Sequence, residues 1–191
     1  MKSAFFIFVL IASSQVSFVS AQQLAKNGTT KASTPITVKK KPLKARDSVP
    51  LFALKQFGGD FVFLKNYCGP SRKEPAVKAV LLDFFATDCL PCVAKLPGLQ
   101  ALGVKYAAKG LKTILISTDK KPEQVLPGFI AAKNVNLPVL TDLYGKTLSN
   151  YGFKSIPQTV LVDSGCKAAY VVEPGEKTPS VLEGHVKTLL E

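Results

Sequence analysis

The chain has 191 residues, and its 25 basic against 13 acidic side chains give a formal net charge of +12. All of the acidic residues but only 17 of the basic ones lie from Asp47 onward, so that part of the chain carries an excess of only +4. This distribution argues against a strongly basic nucleic-acid-binding domain, and we expect no nucleic-acid partner.

Residues 1–21 have the pattern of an export signal peptide. A basic start at Lys2 precedes the unbroken apolar run Ala4–Ala12, and the small residues Val19-Ser20-Ala21 form a cleavage site. The apolar run is shorter than the roughly 20 residues of a membrane-spanning helix. We therefore expect an exported protein that is soluble after cleavage, with an uncleaved N-terminal anchor as the alternative. Disulfide bonds persist in such a compartment.

Residues 22–46 form a separate basic segment. It holds seven Lys or Arg residues, no acidic residue and no aromatic residue, and it shows no helical or strand period. Such a composition cannot bury enough apolar surface to offset the entropy of ordering, so a flexible linker is predicted. Weak contact with an anionic membrane surface is a further expectation for these basic residues.

Residues 47–191, about 145 in number, have the usual size of one domain with one core. Alternating apolar runs and helical spacings predict an α/β domain with a mixed sheet. We expect Pro127 to interrupt the second helix, and Thr178 to cap the last one. The predicted strands are Phe61–Leu64 (in a hairpin turned by Gly58-Gly59), Ala79–Phe85, Leu111–Ser117, Pro138–Leu140, Gln158–Asp163 and Lys167–Val172, and the predicted helices are Cys92–Lys109, Pro122–Lys133, Lys146–Tyr151 and Thr178–Leu190.

Cys89 and Cys92 form a C-x-x-C motif between a buried strand and a helix. Unpaired N–H groups and the dipole at a helix N-terminus favour a thiolate, and the spacing allows Cys92 to resolve a mixed disulfide formed at Cys89. A zinc site would need a second ligand pair, whereas Cys68, Cys166 and His185 are scattered singly. A redox pair is therefore favoured over a structural metal or an inert disulfide.

The sequence around this motif resembles the thioredoxin-fold thiol–disulfide oxidoreductases, in particular the exported TlpA/ResA-like branch. The segment LLDFFATDCLPC is similar to the family's strand-to-active-site signature, Pro97 stands where the family has its helix-kinking proline, and KSIPQTVLVD is similar to its cis-proline loop. The resemblance implies a thioredoxin fold: a mixed central sheet flanked by helices. An N-terminal hairpin extension is expected, with an extra helix and strand before the cis-proline loop.

The resemblance also implies roles for individual residues. Cys89 would be the exposed nucleophile and Cys92 the resolving thiol. Asp83 would accept the proton of the resolving thiol, although a strand-end aspartate turned to solvent is the alternative. Ile156 and Pro157 would form the cis peptide beside which substrate chains bind.

Three residues depart from the family pattern, one of them Phe85, which replaces the other usual aromatic residue. Asp88 stands where tryptophan is common, and its charge disfavours a thiolate at Cys89. Lys95 replaces a glutamate that some reductants of this branch carry. An inward Lys95 would favour the thiolate, but a solvated lysine on an exposed helix face is the preferred interpretation.

Cys68 and Cys166 both lie in turn-like contexts. A structural disulfide between them and two free thiols are the main alternatives, with a second redox role as a third. His185, in the last helix, is expected to have a packing or surface role.

The leading hypothesis is an exported, monomeric thiol–disulfide oxidoreductase, most consistent with the bacterial periplasm. By resemblance it would reduce disulfides in partner proteins such as apocytochrome c and be recharged by a membrane thiol-reducing donor, with no cofactor and no metal. A thiol peroxidase is less favoured, because Thr87 lies only two residues before Cys89 and Asp83 fills the proline position of that pattern. A non-catalytic metal-binding module is also less favoured, because copper carriers of related fold use C-x-x-x-C with a distal histidine.

Overall fold

The computed structural model describes residues 41–173, 176 and 178–191. The predicted signal peptide and the predicted linker as far as residue 40 lie outside the described residues. Within the described part of the chain, no helix combines the length and apolar character needed to cross a membrane.

Seven strands form one mixed sheet in the order β2-β1-β5-β4-β3-β6-β7. The central strands β3, β4 and β5 are parallel to one another, whereas the β3–β6, β6–β7, β1–β5 and β1–β2 pairs are antiparallel. The strands are β1 (Ala53–Gln56), β2 (Phe61–Phe63), β3 (Ala79–Phe85), β4 (Leu111–Ser117), β5 (Val139–Thr141), β6 (Gln158–Asp163) and β7 (Ala168–Val171).

Four α-helices accompany the sheet, and a short 3₁₀ turn covers Leu64–Asn66. Pro127 does not interrupt the second helix, contrary to the sequence prediction. Pro127 lacks an N–H, so the helix loses only one main-chain hydrogen bond at this position. The neighbouring Leu126 is fully buried in the core, and its packing holds the helix in place. The helices are α1 (Leu90–Ala107), α2 (Pro122–Ala132), α3 (Lys146–Asn150) and α4 (Thr178–Leu190).

Both faces of the sheet are buried, which explains the near-continuous apolar runs of β3 and β4. Alternate residues of each strand point to opposite faces. Leu81 and Leu161 pack against α1 and α4, whereas Leu82 and Ile114 pack under Leu64 and the other residues that precede β3. The mixed α/β architecture, the β1–β2 hairpin and the insertion of α2 and β5 before β6 confirm the predicted fold.

Residues 41–46 were assigned by sequence to the flexible linker, but they are held against the domain. Leu43 is buried, and its N–H donates to the carbonyl of Tyr151 at 3.0 Å. Gly152 lets the chain approach this closely, because it has a φ of 76° and a Cβ there would collide with the Lys41 carbonyl. The ordered chain therefore starts before the predicted domain boundary at residue 47.

A disulfide joins Cys68 to Cys166, whose Cα atoms are 5.1 Å apart. Cys68 is buried, and Cys166 follows the end of β6. Ala79 at the start of β3 pairs with Asp163 at the end of β6. The disulfide therefore lies at the end of the sheet where β3 begins. Of the three alternatives for these cysteines, the structure therefore has the disulfide.

Replacing Cys68 and Cys166 together by serine is expected to lower the free energy of unfolding by about 2–4 kcal/mol, because the bond restricts the unfolded chain over a separation of 98 residues. Urea unfolding measures the change. The control is the Cys89→Ser/Cys92→Ser variant, which removes a bond across a separation of only 3. Its free energy of unfolding should fall much less. Equal losses in the two variants would contradict the expectation.

Candidate active site

Cys89 and Cys92 form a disulfide between the end of β3 and the first turn of α1. Cys89 is the N-cap of the helix, and its Sγ accepts a hydrogen bond from the Cys92 N–H at 3.3 Å. Cys92 is only 2% exposed and packs against Leu96 and Phe85, whereas Cys89 is half-buried. A partner molecule can therefore reach the sulfur of Cys89 more readily than that of Cys92.

The helix N-terminus creates an environment that suits a thiolate. Pro91 occupies the first turn, where its missing N–H costs nothing, and the Cys92 N–H of that turn donates to Cys89 Sγ. This N–H group and the helix dipole stabilise negative charge at Cys89. Asp88 is exposed and adds a like charge beside it.

The loop before Cys89 is fixed by Asp119, a residue that the sequence analysis did not identify. The Asp119 carboxylate accepts hydrogen bonds from the Thr87 N–H at 3.2 Å and the Thr87 hydroxyl at 2.9 Å. The Ser117 hydroxyl donates to the same carboxylate at 2.7 Å. The Ser-Thr-Asp sequence that begins at the last residue of β4 was the available signal, but only the parallel pairing of β3 and β4 brings it to the active-site loop.

Asp83 lies within β3 and is only 1% exposed, which rules out the alternative of a strand-end aspartate turned to solvent. Its carboxylate accepts hydrogen bonds from the Lys95 ammonium at 2.5 Å and from the Thr159 hydroxyl at 2.6 Å. The Lys95 ammonium also donates to the Thr159 hydroxyl oxygen at 2.8 Å. Asp83, Lys95 and Thr159 therefore form one hydrogen-bonded cluster between the sheet and α1.

The preferred interpretation of Lys95 as a solvated lysine is wrong. Its side chain is 9% exposed and its ammonium is paired with Asp83. Sequence spacing placed Lys95 on α1, but it could not show which face of the helix meets β3.

Two opposing influences set the pKa of Asp83. Burial raises it, because the charged form is removed from water, whereas the Lys95 charge and the hydrogen bonds from Lys95 and Thr159 lower it. Burial has the larger effect, so the pKa of Asp83 lies above the ordinary value of an aspartate. A proton acceptor with a raised pKa is a stronger base than an exposed aspartate.

The Ile156–Pro157 peptide bond is cis and directly precedes β6. The β3–β6 register pairs Phe84 with Gln158, so Pro157 lies beside the C-terminal end of β3. Ile156 packs against the same apolar cluster as Cys89. The structure thus brings the cis-proline loop and the cysteine pair to one surface.

A small cavity of about 70 Å³ lies beside Lys95, and it is large enough for at least one water molecule. Glu173 and Glu176 contribute the acidic side chains of its wall, and Pro157 and Thr159 also line it. The Glu176 carboxylate is already bound by the Tyr170 hydroxyl at 2.8 Å.

Within the described ranges, no cluster of three or more His, Cys, Asp or Glu side chains is arranged to hold a metal ion. His185 stacks on the Tyr170 ring, with the ring centroids 3.8 Å apart. The packing role expected for His185 is what the structure gives it.

Leu90 is 81% exposed directly after Cys89. Thr118 and Tyr144 line a groove of about 550 Å³. The groove lies near the loop before Cys89, because the Thr118 N–H donates to the carbonyl of Phe85, the last residue of β3, at 2.9 Å. Tyr144 is 93% exposed. The surface next to Cys89 is therefore open and partly apolar.

Comparison with known proteins gives a consistent result. The AhpC/TSA family matches residues 45–171. The thiol-disulfide oxidoreductase ResA of Bacillus thuringiensis subsp. konkukian is 26% identical over 151 residues, covering 79% of this chain and 82% of that protein. The ResA protein of Bacillus anthracis is 29% identical over 152 residues, covering 78% and 81%.

Solved structures agree with this assignment. A Chlorobium tepidum protein, provisionally assigned as the thiol:disulfide interchange protein DsbE, superimposes with a TM-score of 0.65 at 29% identity, covering 78% of this chain and 99% of that one. StoA of Bacillus subtilis shares the fold, with a TM-score of 0.58 at 22% identity, covering 73% and 98%. With its C-x-x-C disulfide at the start of α1, this chain belongs to the AhpC/TSA family of thioredoxin fold and is a thiol–disulfide oxidoreductase.

Proposed function

We propose that this protein is an exported reductant of disulfide bonds in partner proteins, of the kind that serves cytochrome c maturation. The observation that carries the proposal is the unequal burial of the two active-site sulfurs, with Cys89 accessible at a helix N-terminus and Cys92 buried beneath it. An accessible nucleophile with a sheltered second thiol suits a protein that attacks other disulfides and then releases itself.

The reaction starts from the reduced pair. The Cys89 thiolate attacks one sulfur of a substrate disulfide, a new S–S bond forms, and the other substrate sulfur leaves as a thiolate that takes a proton from water. Cys92 then loses its proton and attacks Cys89. The Cys89–Cys92 bond forms, the second substrate sulfur leaves, and two electrons have passed to the substrate.

Asp83 is proposed as the acceptor of the Cys92 proton. Its burial under α1 and its raised pKa suit that task. Ile156 and Pro157 are proposed to contact the substrate chain, because their loop shares an apolar cluster with Cys89. The exposed Leu90 and Tyr144 extend the surface on which an unfolded or flexible partner would lie.

The cellular setting follows from the N-terminal sequence and the family resemblance. Residues 1–21 would direct export to the bacterial periplasm, and the basic segment from residue 22 would act as a linker that touches the membrane surface weakly. The protein would work as a monomer. A membrane thiol-reducing donor would return electrons to Cys89 and Cys92 after each cycle, because the compartment itself is oxidising.

The Cys92→Ser variant is expected to accumulate a mixed disulfide between Cys89 and a substrate protein, since the resolving thiol is absent. The matched Cys89→Ser variant should form no such adduct. Non-reducing electrophoresis and mass spectrometry of each variant, mixed with a disulfide-containing substrate such as insulin, measure the adduct. Equal trapping by both variants would contradict the assigned order of attack.

The reduction potential of the Cys89–Cys92 pair is expected to be about −270 mV or lower, in the range of thioredoxin, because a reductant must lie below its substrates. Equilibration in dithiothreitol or glutathione buffers with trapping of free thiols gives the value. The Cys68→Ser/Cys166→Ser variant serves as control and isolates the active-site pair. A value near about −120 mV, typical of a disulfide donor, would overturn the proposed direction of electron flow.

The Asp83→Asn variant is expected to resolve mixed disulfides about 100-fold more slowly at neutral pH, because it lacks the proton acceptor. The loss should shrink as the pH rises, since Cys92 then ionises without help. Stopped-flow measurement of substrate thiol release against pH tests this. Asp88→Asn is the control, because it removes an exposed carboxylate beside Cys89 and should not slow resolution. Equal slowing by both variants would contradict the role of Asp83.

A further inference from the structure

Lys95 is a buried cation that the reaction outlined above does not use. It lies three residues after Cys92 on α1, so the two side chains are neighbours on one face of the helix. The same face carries Leu96 and Leu99 into the core against the sheet. Lys95 therefore enters a space in which an unpaired charge would be costly.

Building on the proposed function, we propose that Lys95 is a positioning residue for the dithiol reaction. Its ammonium holds the Asp83 side chain as a carboxylate, ready to receive the Cys92 proton. Lys95 acts on the reaction through Asp83 and touches neither the substrate nor the reacting sulfurs.

The contacts of Lys95 and Asp83 leave little freedom in this arrangement. The Lys95 ammonium is 2.5 Å from the Asp83 carboxylate, and the Thr159 hydroxyl lies against both groups, at 2.8 Å and 2.6 Å. The two side chains are 9% and 2% exposed. Three elements (α1, β3 and β6) therefore fix the position of one carboxylate.

The other charged or titratable groups near the pair are few among the described residues. Cys92 comes from α1, and Asp88 precedes the helix in the exposed loop. The segment between β7 and α4 contributes Glu173 and Glu176, which line the small cavity beside Lys95. Glu176 is bound to Tyr170, and among the described residues the carboxylate that is hydrogen-bonded to Lys95 is that of Asp83.

A proton acceptor must be both ionised and basic at the working pH. Burial of a lone carboxylate in β3 would raise its pKa further, so less of it would be ionised and able to accept a proton. The adjacent ammonium offsets part of that effect. The proton then passes from the Cys92 thiol to the Asp83 carboxylate, giving a thiolate and a carboxylic acid, and the total charge of Cys92, Asp83 and Lys95 taken together does not change.

Another lysine on the same helix forms an ion pair that is exposed to solvent. Lys105 pairs with Glu183 at 2.6 Å, but these side chains are 60% and 34% exposed. Water screens such a surface pair, so it has little effect on distant groups. Lys105 therefore provides a matched control for Lys95.

The test uses the full-length protein in which Cys89 forms a mixed disulfide with a coloured aromatic thiol and Cys92 is a free thiol. Attack by Cys92 releases the coloured thiolate, and the release rate is followed against pH by stopped flow. In the wild type the rate should rise with pH as Asp83 ionises. Lys95→Met should move this rise upward by about 1–3 pH units, which is the usual effect of removing an adjacent opposite charge, and slow release at pH 7 at least tenfold.

Lys105→Met should have the profile of the wild type, and so should the Glu173→Gln/Glu176→Gln variant. The role of Lys95 would be overturned if the Lys95→Met profile coincided with that of the wild type. It would also be overturned if the rise in rate moved to another pH in the Glu173→Gln/Glu176→Gln variant and not in Lys95→Met. A wild type that releases no thiolate at all would instead overturn the proposed function.

Folding is checked separately, because Lys95→Met leaves Asp83 without its partner. The Asp83→Asn/Lys95→Met variant removes both charges and keeps the cluster neutral. If Lys95 acts through Asp83, this variant should release the thiolate at the rate of Asp83→Asn alone, with no pH-dependent rise from Asp83. A double variant that is slower than Asp83→Asn by the full factor seen in Lys95→Met would contradict the proposal.

Discussion

A carboxylate in a strand that is buried on both faces needs a partner, and this requirement organises the site. Asp83 has no water to stabilise its charge, so α1 supplies Lys95 and β6 supplies Thr159. Lys95 and Cys92 both belong to α1, and Cys89 caps this helix, so the ion pair also helps to fix how the cysteines lie on the sheet. In the proposed reaction, the chemistry of the sulfurs and the packing of the core depend on the same contact.

The site draws its parts from elements that are far apart in sequence but adjacent in the sheet. The parallel pairing of β3 with β4 brings Asp119 to the loop before Cys89, and the antiparallel pairing of β3 with β6 brings Pro157 to the same end. Asp119, Cys89 and Pro157 lie in short loops that directly adjoin these strands. The pairing of the strands therefore sets where the three loops meet.

The sequence predicted the local features well. The bounds of β3, β4, β6 and α4 match the structure, since each is an apolar run or a helical period that local pattern defines. The cysteine motif was equally clear. What could not be predicted depends on contacts between distant segments: the inward side of Lys95, the bonds of Asp119 to Thr87, and the packing of Leu43, whose basic surroundings resemble a disordered linker.

The two disulfides lie at opposite ends of the sheet, and this places contrary demands on the biogenesis of the protein. Four cysteines can pair in three ways, so the newly made chain needs the correct pairing of its own cysteines before it can act on other chains. In the proposed cycle, the Cys68–Cys166 bond must then survive the donor that repeatedly opens Cys89–Cys92. Burial does not distinguish the two bonds, because each joins a cysteine that is 2% exposed, Cys68 or Cys92, to a half-buried one, Cys166 or Cys89. The separations that they span differ instead, at 98 residues for Cys68–Cys166 and 3 for Cys89–Cys92. The bond across the longer separation stabilises the folded chain more, so folding itself makes that bond the harder of the two to reduce.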